Sequence, residues 1–260
     1  MNDSQEPALV ARLRAAGCVF AEEEADLIIA TARTPAEADD MAARRAEGLP
    51  LEHVLGWAEF CGRRVSVDAG VFVPRRRTEF LVERAVAAAP RGRSAVVVDL
   101  CCGTGAVGLA VAAALPGAEL HAADVEPAAV RCAARNIAAV GGRAYEGDLF
   151  AALPAGLRGR IDVLVANVPY VPSGDIPLLP GEARDHEPLV ALDGGADGLG
   201  VLRRVAAGAR EWLVSGGTVL SETSEAQRAA ALAAFAAGGL DARAAWSEEL
   251  GATVIEGVRT

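Results

Sequence analysis

The sequence predicts an α/β protein in which a mostly parallel, doubly wound sheet follows a small helical module. Three observations lead to that class. From Ser94 onward, short apolar, β-branched runs alternate with Ala-rich segments of helical length. The first such run opens into a glycine-rich turn, "DLCCGTGAVG" at 99–108, as a strand does when it hands over to a helix at a ligand site. Residues 5–48, by contrast, read as helices alone.

The helical module comes first. "ALVARLRAAG" ends at Gly17, a C-terminal stop, and "AEEEADLIIATAR" opens with acids that suit the positive end of a helix. "TPAEADDMAARRAEG" starts with Thr34 as a cap and Pro35 at the first helical position, and it stops at Gly48. "EFCGRRVSVDAGVFVP" alternates and turns like a hairpin. "TEFLVERAVAAAP" is an amphipathic helix ended by Pro90. Then strands and helices alternate: "AVVVDL" and "AVGLAVAAALPG", "AELHAAD" and "PAAVRCAARNIAAVGG", "AYEGDL", and "IDVLVAN". A long loop, 168–199, is rich in Pro, Gly and acids. The helix "GVLRRVAAGAREWL", the strand "GGTVLSET", the helix "EAQRAAALAAFAAGG" and strands near 240–248 and 252–259 complete the pattern. The expected division is a helical domain at 1–58, a hairpin linker at 59–77 and the sheet domain at 78–260.

Composition narrows the function. All 25 basic residues are Arg, and the net charge of −10 argues against a protein that tracks a nucleic-acid backbone over a wide surface. Five cysteines at 18, 61, 101, 102 and 132 include no C-x-x-C pair, so neither a zinc nor a disulfide framework is expected, and a reducing cytoplasm is the simple reading. The N-terminal "MNDSQEPALVARLRAAG" has early acids and no long apolar core, which predicts no signal peptide. The weakly polar stretch Leu100–Leu115 suits a buried strand–turn–helix better than a membrane span.

Gly103, Gly105 and Gly108 fit G-x-G-x-x-G, and Asp124 ends the second strand about 20 residues further on, where an acid holds ribose hydroxyls. A dinucleotide or S-adenosylmethionine fits that pattern. Asp99 favours the second, because a carboxylate beside the turn repels a diphosphate and attracts an ammonium and a sulfonium; a strand-end acid that caps backbone N–H groups is its plainer reading. Asp99, Gly103 and Gly105 then form the methionine side of the site, and Asp148 and Leu149 the adenine side. Cys101 and Cys102 read as small packing residues beside the turn. His121 reads as a packing residue inside its strand, and His186 as a weak candidate for a substrate contact.

The end of "IDVLVANVPY" carries the second half of the chemistry. A delocalised amine is a poor nucleophile, and a site helps it by accepting both of its N–H bonds. The Asn167 side-chain carbonyl can take one and the backbone carbonyl of Val168 the other. Pro169 restricts residue 168 to an extended conformation that aims this carbonyl, and Tyr170 can lie against the flat face of the group. The same tetrapeptide would also serve as a rigid strand exit.

With these residues in view, the chain resembles the protein-glutamine N-methyltransferases, HemK-like enzymes that methylate the Gln of the GGQ motif of peptide-chain release factors. The likeness runs through "HVLGWAEFCGRRVSVDAGVFVPRRRTEFLVERA" with its Gly56, Phe60, Pro74, Arg75, Thr78 and Glu79, through "DLCCGTG", Asp124, "GDLF" and "NVPY", and through the stretch ending at Glu222. It implies a Rossmann-like, S-adenosylmethionine-dependent fold with a seven-stranded sheet, a helical domain that guides the substrate, a release factor as partner and a place in translation termination. In its terms Asn167, Val168, Pro169 and Tyr170 are catalytic, and Asp99, Cys101, Cys102, Gly103, Thr104, Gly105, Asp124, Asp148, Leu149 and Asn167 bind the cofactor, with no metal. The family's Asn-Pro-Pro-Tyr type is shared with enzymes that methylate amino groups of nucleic-acid bases, which leaves such a base as one alternative acceptor and, for a divergent paralogue, another translation protein as a second. Val168 departs from this type, and "PRRRTE" departs from the family's "PRPETE" type, Arg76 and Arg77 inverting the local charge next to Arg63, Arg64 and Arg75. That run is either a solvated charge cluster or a basic docking patch.

Overall fold

The computed structural model describes residues 5–260; the first four residues, where the N-terminal reading begins, lie outside it. The helical module forms as its sequence directs. Helix α1 spans Gln5–Ala15, α2 Ala21–Thr31, α3 Pro35–Ala46 and a short α4 Leu51–Leu55. Thr34 caps α3, its Oγ1 accepting from the Glu37 N–H at 3.2 Å. Leu9, Leu13, Ile28, Ala42 and Val54 bury their side chains in a cluster of the module's own.

The hairpin is present as strands β1 (Trp57–Phe60) and β2 (Arg63–Ser66). Phe60 pairs with Arg63 across a two-residue turn. Both turn residues are left-handed, Cys61 at φ 49° and Gly62 at φ 66°, the combination that matches strand twist in tight hairpins. Asn136 ties the hairpin to the sheet domain: its Oδ1 accepts from Ser66 N–H (3.0 Å), and its Nδ2 donates to the carbonyls of Ser66 and Thr104 (both 2.9 Å).

The sheet contains β3 (Val96–Leu100), β4 (Glu119–Asp124), β5 (Arg143–Glu146), β6 (Ile161–Ala166), β7 (Leu213–Thr223), β8 (Asp241–Ser247) and β9 (Ala252–Val258). Their order is β5-β4-β3-β6-β7-β9-β8. Pairing is parallel from β5 to β7, while β9 runs antiparallel to both β7 and β8. Side chains alternate between two cores. Val97, Val163, Val165 and Leu220 face α5 (Glu79–Ala88), α6 (Ala106–Ala114) and α7 (Pro127–Ile137). Val98, Leu164, Ala166 and Val219 face α10 (Gly200–Trp212) and α11 (Arg228–Ala237). All six residues of β6 are buried, as expected of a central strand covered on both faces. Its one acid, Asp162, accepts from Arg93 Nη1 and from the Val96 N–H, both at 2.9 Å.

Two details differ from the sequence pattern. Strand β7 starts at Leu213, ahead of the Gly-Gly pair, and its pairing with β6 jumps from Leu213 opposite Ile161 to Thr218 opposite Val163. The bulge depends on Gly217, where a Cβ would stand 2.8 Å from the Ile161 carbonyl oxygen. The long loop, 168–199, is built of short turns: a 3₁₀ segment at Ser173–Leu178, α8 (Gly181–His186) and α9 (Leu189–Leu192). Its base is pinned by a bridge between Val171 and Asp193.

Candidate active site

The order reverses at β3, whose neighbours are β4 on one side and β6 on the other, and in such sheets ligands bind at that switch beyond the strand ends. A cavity of about 850 Å³ lies there. It is lined from four directions: the loop after β3, the ends of β4 and β5, the exit of β6, and the segments 70–78 and 179–192.

Asp99, on β3, is 1% exposed. Its Oδ2 accepts from Gly108 N–H at 2.8 Å, and a Cβ at Gly108 would stand 3.0 Å from this carboxylate. Burial pushes the carboxyl up to about 7, with the charge of Asp124 adding and the Gly108 N–H opposing. Among the described residues no cationic side chain is paired with Asp99. The loop then turns through left-handed residues, Cys101 (φ 55°), Gly103 (φ 54°) and Gly105 (φ 74°). Asp124 closes it: Oδ2 accepts from Gly103 N–H (2.9 Å) and Oδ1 from Glu126 N–H (3.0 Å). Burial raises the Asp124 carboxyl against these backbone donors.

Asp99, Cys101, Cys102, Gly103, Thr104, Asp124, Asp148, Leu149 and the tetrapeptide Asn167–Tyr170 all line this one cavity. Gly105 is not among its lining residues; it packs the loop against α7, where an added Cβ would stand 3.1 Å from both Ala133 and Ile137. The two adjacent thiols diverge to opposite faces of the sheet, Cys102 into one core and Cys101 against the other. Burial and neighbouring carboxylates hold both well above the usual thiol range, which keeps them protonated. Asp148, half exposed, is bound by Arg204 of α10 at 2.5 Å, a partner its place in the sequence does not announce.

The β3–β6 register pairs Leu100 with Ala166, so Asn167 emerges beside Cys101 and the glycine loop. The Asn167 Oδ1 is buried and has no hydrogen-bond partner, and the same holds for Glu222 Oε2 and Thr78 Oγ1. A buried acceptor left unpaired costs about 1–3 kcal/mol, which marks the place where an incoming N–H would be welcome. Val168 and Pro169 are buried. Tyr170 donates its O–H to Glu222 Oε1 at 2.9 Å and accepts from Arg77 Nη2. Burial and the Glu222 charge push its phenol well above the ordinary range.

The Arg run resolves into individual partners. Arg75 Nη2 binds the buried Glu187 at 2.6 Å, and Arg77 Nε binds Glu222 at 3.0 Å. Arg64 lies over the Trp57 ring at 3.7 Å. In the basic run of "PRRRTE", Arg75 and Arg77 are each neutralised by a buried carboxylate while their side chains stay partly exposed. His121 is held between the Tyr145 hydroxyl (2.9 Å) and Glu119 (3.0 Å), in keeping with a packing role, and His186 does not line the cavity. Phe72, Arg204 and the neighbours of His186 in the segment 179–192 also line the cavity; the sequence pattern gives none of them a site role.

Comparison with known proteins gives the family. The family model for the methyltransferase small domain matches residues 63–176, a span that holds both the glycine loop and the tetrapeptide. A release factor glutamine methyltransferase of Geobacter sulfurreducens is 39% identical over 197 residues, covering 75% of this chain and 68% of that protein. One from Mycolicibacterium smegmatis is 41% identical over 199 residues, covering 76% and 69%. The chain belongs to the release factor glutamine methyltransferase family. Similarity of the same order reaches a 4-amino-L-phenylalanine/4-methylamino-L-phenylalanine methyltransferase of Streptomyces pristinaespiralis, 37% identical over 201 residues, 75% of this chain and 68% of that one. Among solved structures, a methyltransferase from Pyrococcus furiosus shares the family's fold with a TM-score of 0.57 at 13% identity, covering 77% of this chain and 90% of that one. A ribosomal protein L11 methylase from Lactobacillus delbrueckii subsp. bulgaricus does so with a TM-score of 0.52 at 16% identity, covering 72% and 80%. No helix among the described residues is long and apolar enough to cross a membrane.

Proposed function

We propose that the protein transfers a methyl group from S-adenosylmethionine to the side-chain amide nitrogen of a protein glutamine, that of the GGQ motif of a peptide-chain release factor. The observation that carries this reading is the unpartnered, buried Asn167 Oδ1 at the exit of β6, next to a glycine loop whose floor is a carboxylate without a cationic partner. The cavity's inner acids, Asp99 and Asp124, suit a cationic ligand and repel a diphosphate. When bound, S-adenosylmethionine supplies an electrophilic methyl on its sulfonium. Asp99 and residues 101–104 would hold its amino-acid end, Asp124 the ribose, and Asp148 and Leu149 the adenine. Asn167 Oδ1 and the Val168 carbonyl accept the two N–H bonds of the acceptor, which directs the nitrogen lone pair outward. Tyr170 walls one side of the planar group. Solvent takes the proton that the nitrogen loses as it gains the methyl.

The same reading assigns residues 1–58 to a substrate-guiding domain, 59–77 to a linker and 78–260 to the methyltransferase domain, in a cytoplasmic enzyme that meets nucleic acid only through the translation machinery. The module's separate apolar cluster supports that division. An acidic chain whose Arg75 and Arg77 are paired internally lends no support to a base-methylating alternative. The test is incubation with methyl-labelled S-adenosylmethionine and, in parallel, a release factor, total RNA, DNA and 4-amino-L-phenylalanine, with mass spectrometry of the product. Label on the GGQ glutamine is expected; label on RNA, DNA or the arylamine alone overturns the assignment.

A further inference from the structure

Arg77, Tyr170 and Glu222 come from three separate parts of the chain, 93 and 145 residues from Arg77, yet they close a ring of hydrogen bonds at the wall of the cavity. Glu222 sits on β7, 3% exposed at its side chain, with its backbone fixed opposite Val254 of β9. Its Oε1 accepts from both Tyr170 O–H (2.9 Å) and Arg77 Nε (3.0 Å). Arg77 Nη2 donates to the same phenol oxygen, and the guanidinium carbon lies 5.6 Å from the Tyr170 ring centre. The phenol is thus held through its donor and its acceptor side at once, by two groups of opposite charge. Swinging the ring away would break two charge-assisted hydrogen bonds and leave a buried carboxylate, already short of a partner at Oε2, with one donor fewer. The backbone of Tyr170 is fixed as well, because Gln227 Nε2 donates to its carbonyl at 2.9 Å.

We propose that Arg77 is a positioning residue for the methyl acceptor: with Glu222 it locks the Tyr170 ring in one orientation, so the wall of the acceptor site is formed before the acceptor arrives. This rests on the reading of Asn167–Tyr170 as the acceptor clamp. The hydrogen bonds of Arg77 run to Tyr170 and Glu222 and not to the acids that hold the glycine loop, so its effect passes through Tyr170 and spares the cofactor side. A carboxylate at position 77 would meet Glu222 with like charge and undo the lock, so the arrangement depends on this chain's own Arg. A pre-formed wall lowers the ordering cost of binding, and its loss is expected in the acceptor KM rather than in cofactor affinity.

The chain has two tyrosines, so selective ring-carbon labelling gives two NMR signals, assigned with Tyr170→Phe. Arg77→Met, which keeps the aliphatic stem, is expected to shift or broaden the Tyr170 signal and leave that of Tyr145 in place. With the release factor as acceptor, the same substitution raises KM about ten-fold, the loss typical of one hydrogen bond to a charged group, while S-adenosylhomocysteine affinity stays within about two-fold. In a Tyr170→Phe background the KM penalty of Arg77→Met disappears, and in the wild-type background Arg77→Lys, which keeps the charge, shows a smaller KM rise than Arg77→Met. An unmoved Tyr170 signal, or an equal KM penalty in both backgrounds, overturns the proposal. The NMR arm requires no turnover, so a wild-type protein inactive on release factors would refute the proposed function while the Arg77–Tyr170 lock is still judged on its own signal.

Discussion

The sharpest consequence of the site is the behaviour of Asp99. Its carboxyl stands at about 7, against 3.8 for the unperturbed group, because it is buried beside Asp124 with one backbone N–H as its donor. That displacement corresponds to on the order of 4 kcal/mol against the charged form in the ligand-free protein. The sign follows from linkage. The folded state holds this proton more tightly than the unfolded chain, so Asp99 costs nothing below its unfolded value. It then erodes stability as pH rises from about 4 to about 7, and the cost is constant above that. Asp99→Asn removes the erosion: the variant should melt above wild type at about pH 8, and the gap should close toward about pH 4. Binding moves the other way. A cationic ligand needs the ionised carboxylate, so below pH 7 the wild-type protein must expel a proton to bind, and affinity falls by up to about ten-fold per pH unit. Calorimetric titration of S-adenosylhomocysteine between about pH 5.5 and 7.5, in two buffers of different ionisation heat, measures both the affinity and the released proton. The Asn variant should bind more weakly at the upper end and show a flatter profile. A flat wild-type profile, or an Asn variant that binds as tightly as wild type at the upper pH, would refute the assignment of Asp99 to the cofactor's cationic end.

Other substitutions separate chemistry from architecture. Asn167→Ala should lower kcat for methyl transfer by at least about 100-fold, as loss of an oriented acceptor at a reacting centre does, with the melting temperature unchanged or raised because a buried unpaired oxygen is removed; an active variant removes Asn167 from the mechanism. Gly108→Ala places a methyl 3.0 Å from Asp99 and from Leu120 and should cost about 1–3 kcal/mol by overpacking, read by denaturant unfolding, with cofactor affinity falling alongside. Arg45 binds Glu24 at 2.6 Å with both side chains nearly buried, so Arg45→Ala should destabilise by about 3–5 kcal/mol. Its second partner, Glu182, is half exposed, and Glu182→Ala should cost less than about 1 kcal/mol; equal losses for the two would contradict the burial argument.

The elements themselves were legible in local pattern. "TPAEADDMAARRAEG" carries its own start and stop, and α3 runs from Pro35 to Ala46 between them. "IDVLVAN" reads as a fully covered strand, and β6 is that strand, because an uninterrupted apolar run admits no solvent face. The glycine loop, Asp124 and Asn167–Tyr170 could be picked out because turn chemistry and strand ends depend on neighbours a few residues away. Partners at long range could not. Whether "PRRRTE" formed a basic patch depended on Glu187 and Glu222, which reach it only through the strand order and the packing of segment 179–192. Asp148 meets Arg204 because α10, 56 residues further on, packs beside the turn that follows Asp148. The bulge at Gly217 exists because a neighbouring strand's carbonyl stands where a Cβ would be. Periodicity records which face of an element is buried; which charged group comes to lie beside which is decided by the order of the strands and the height at which each one ends.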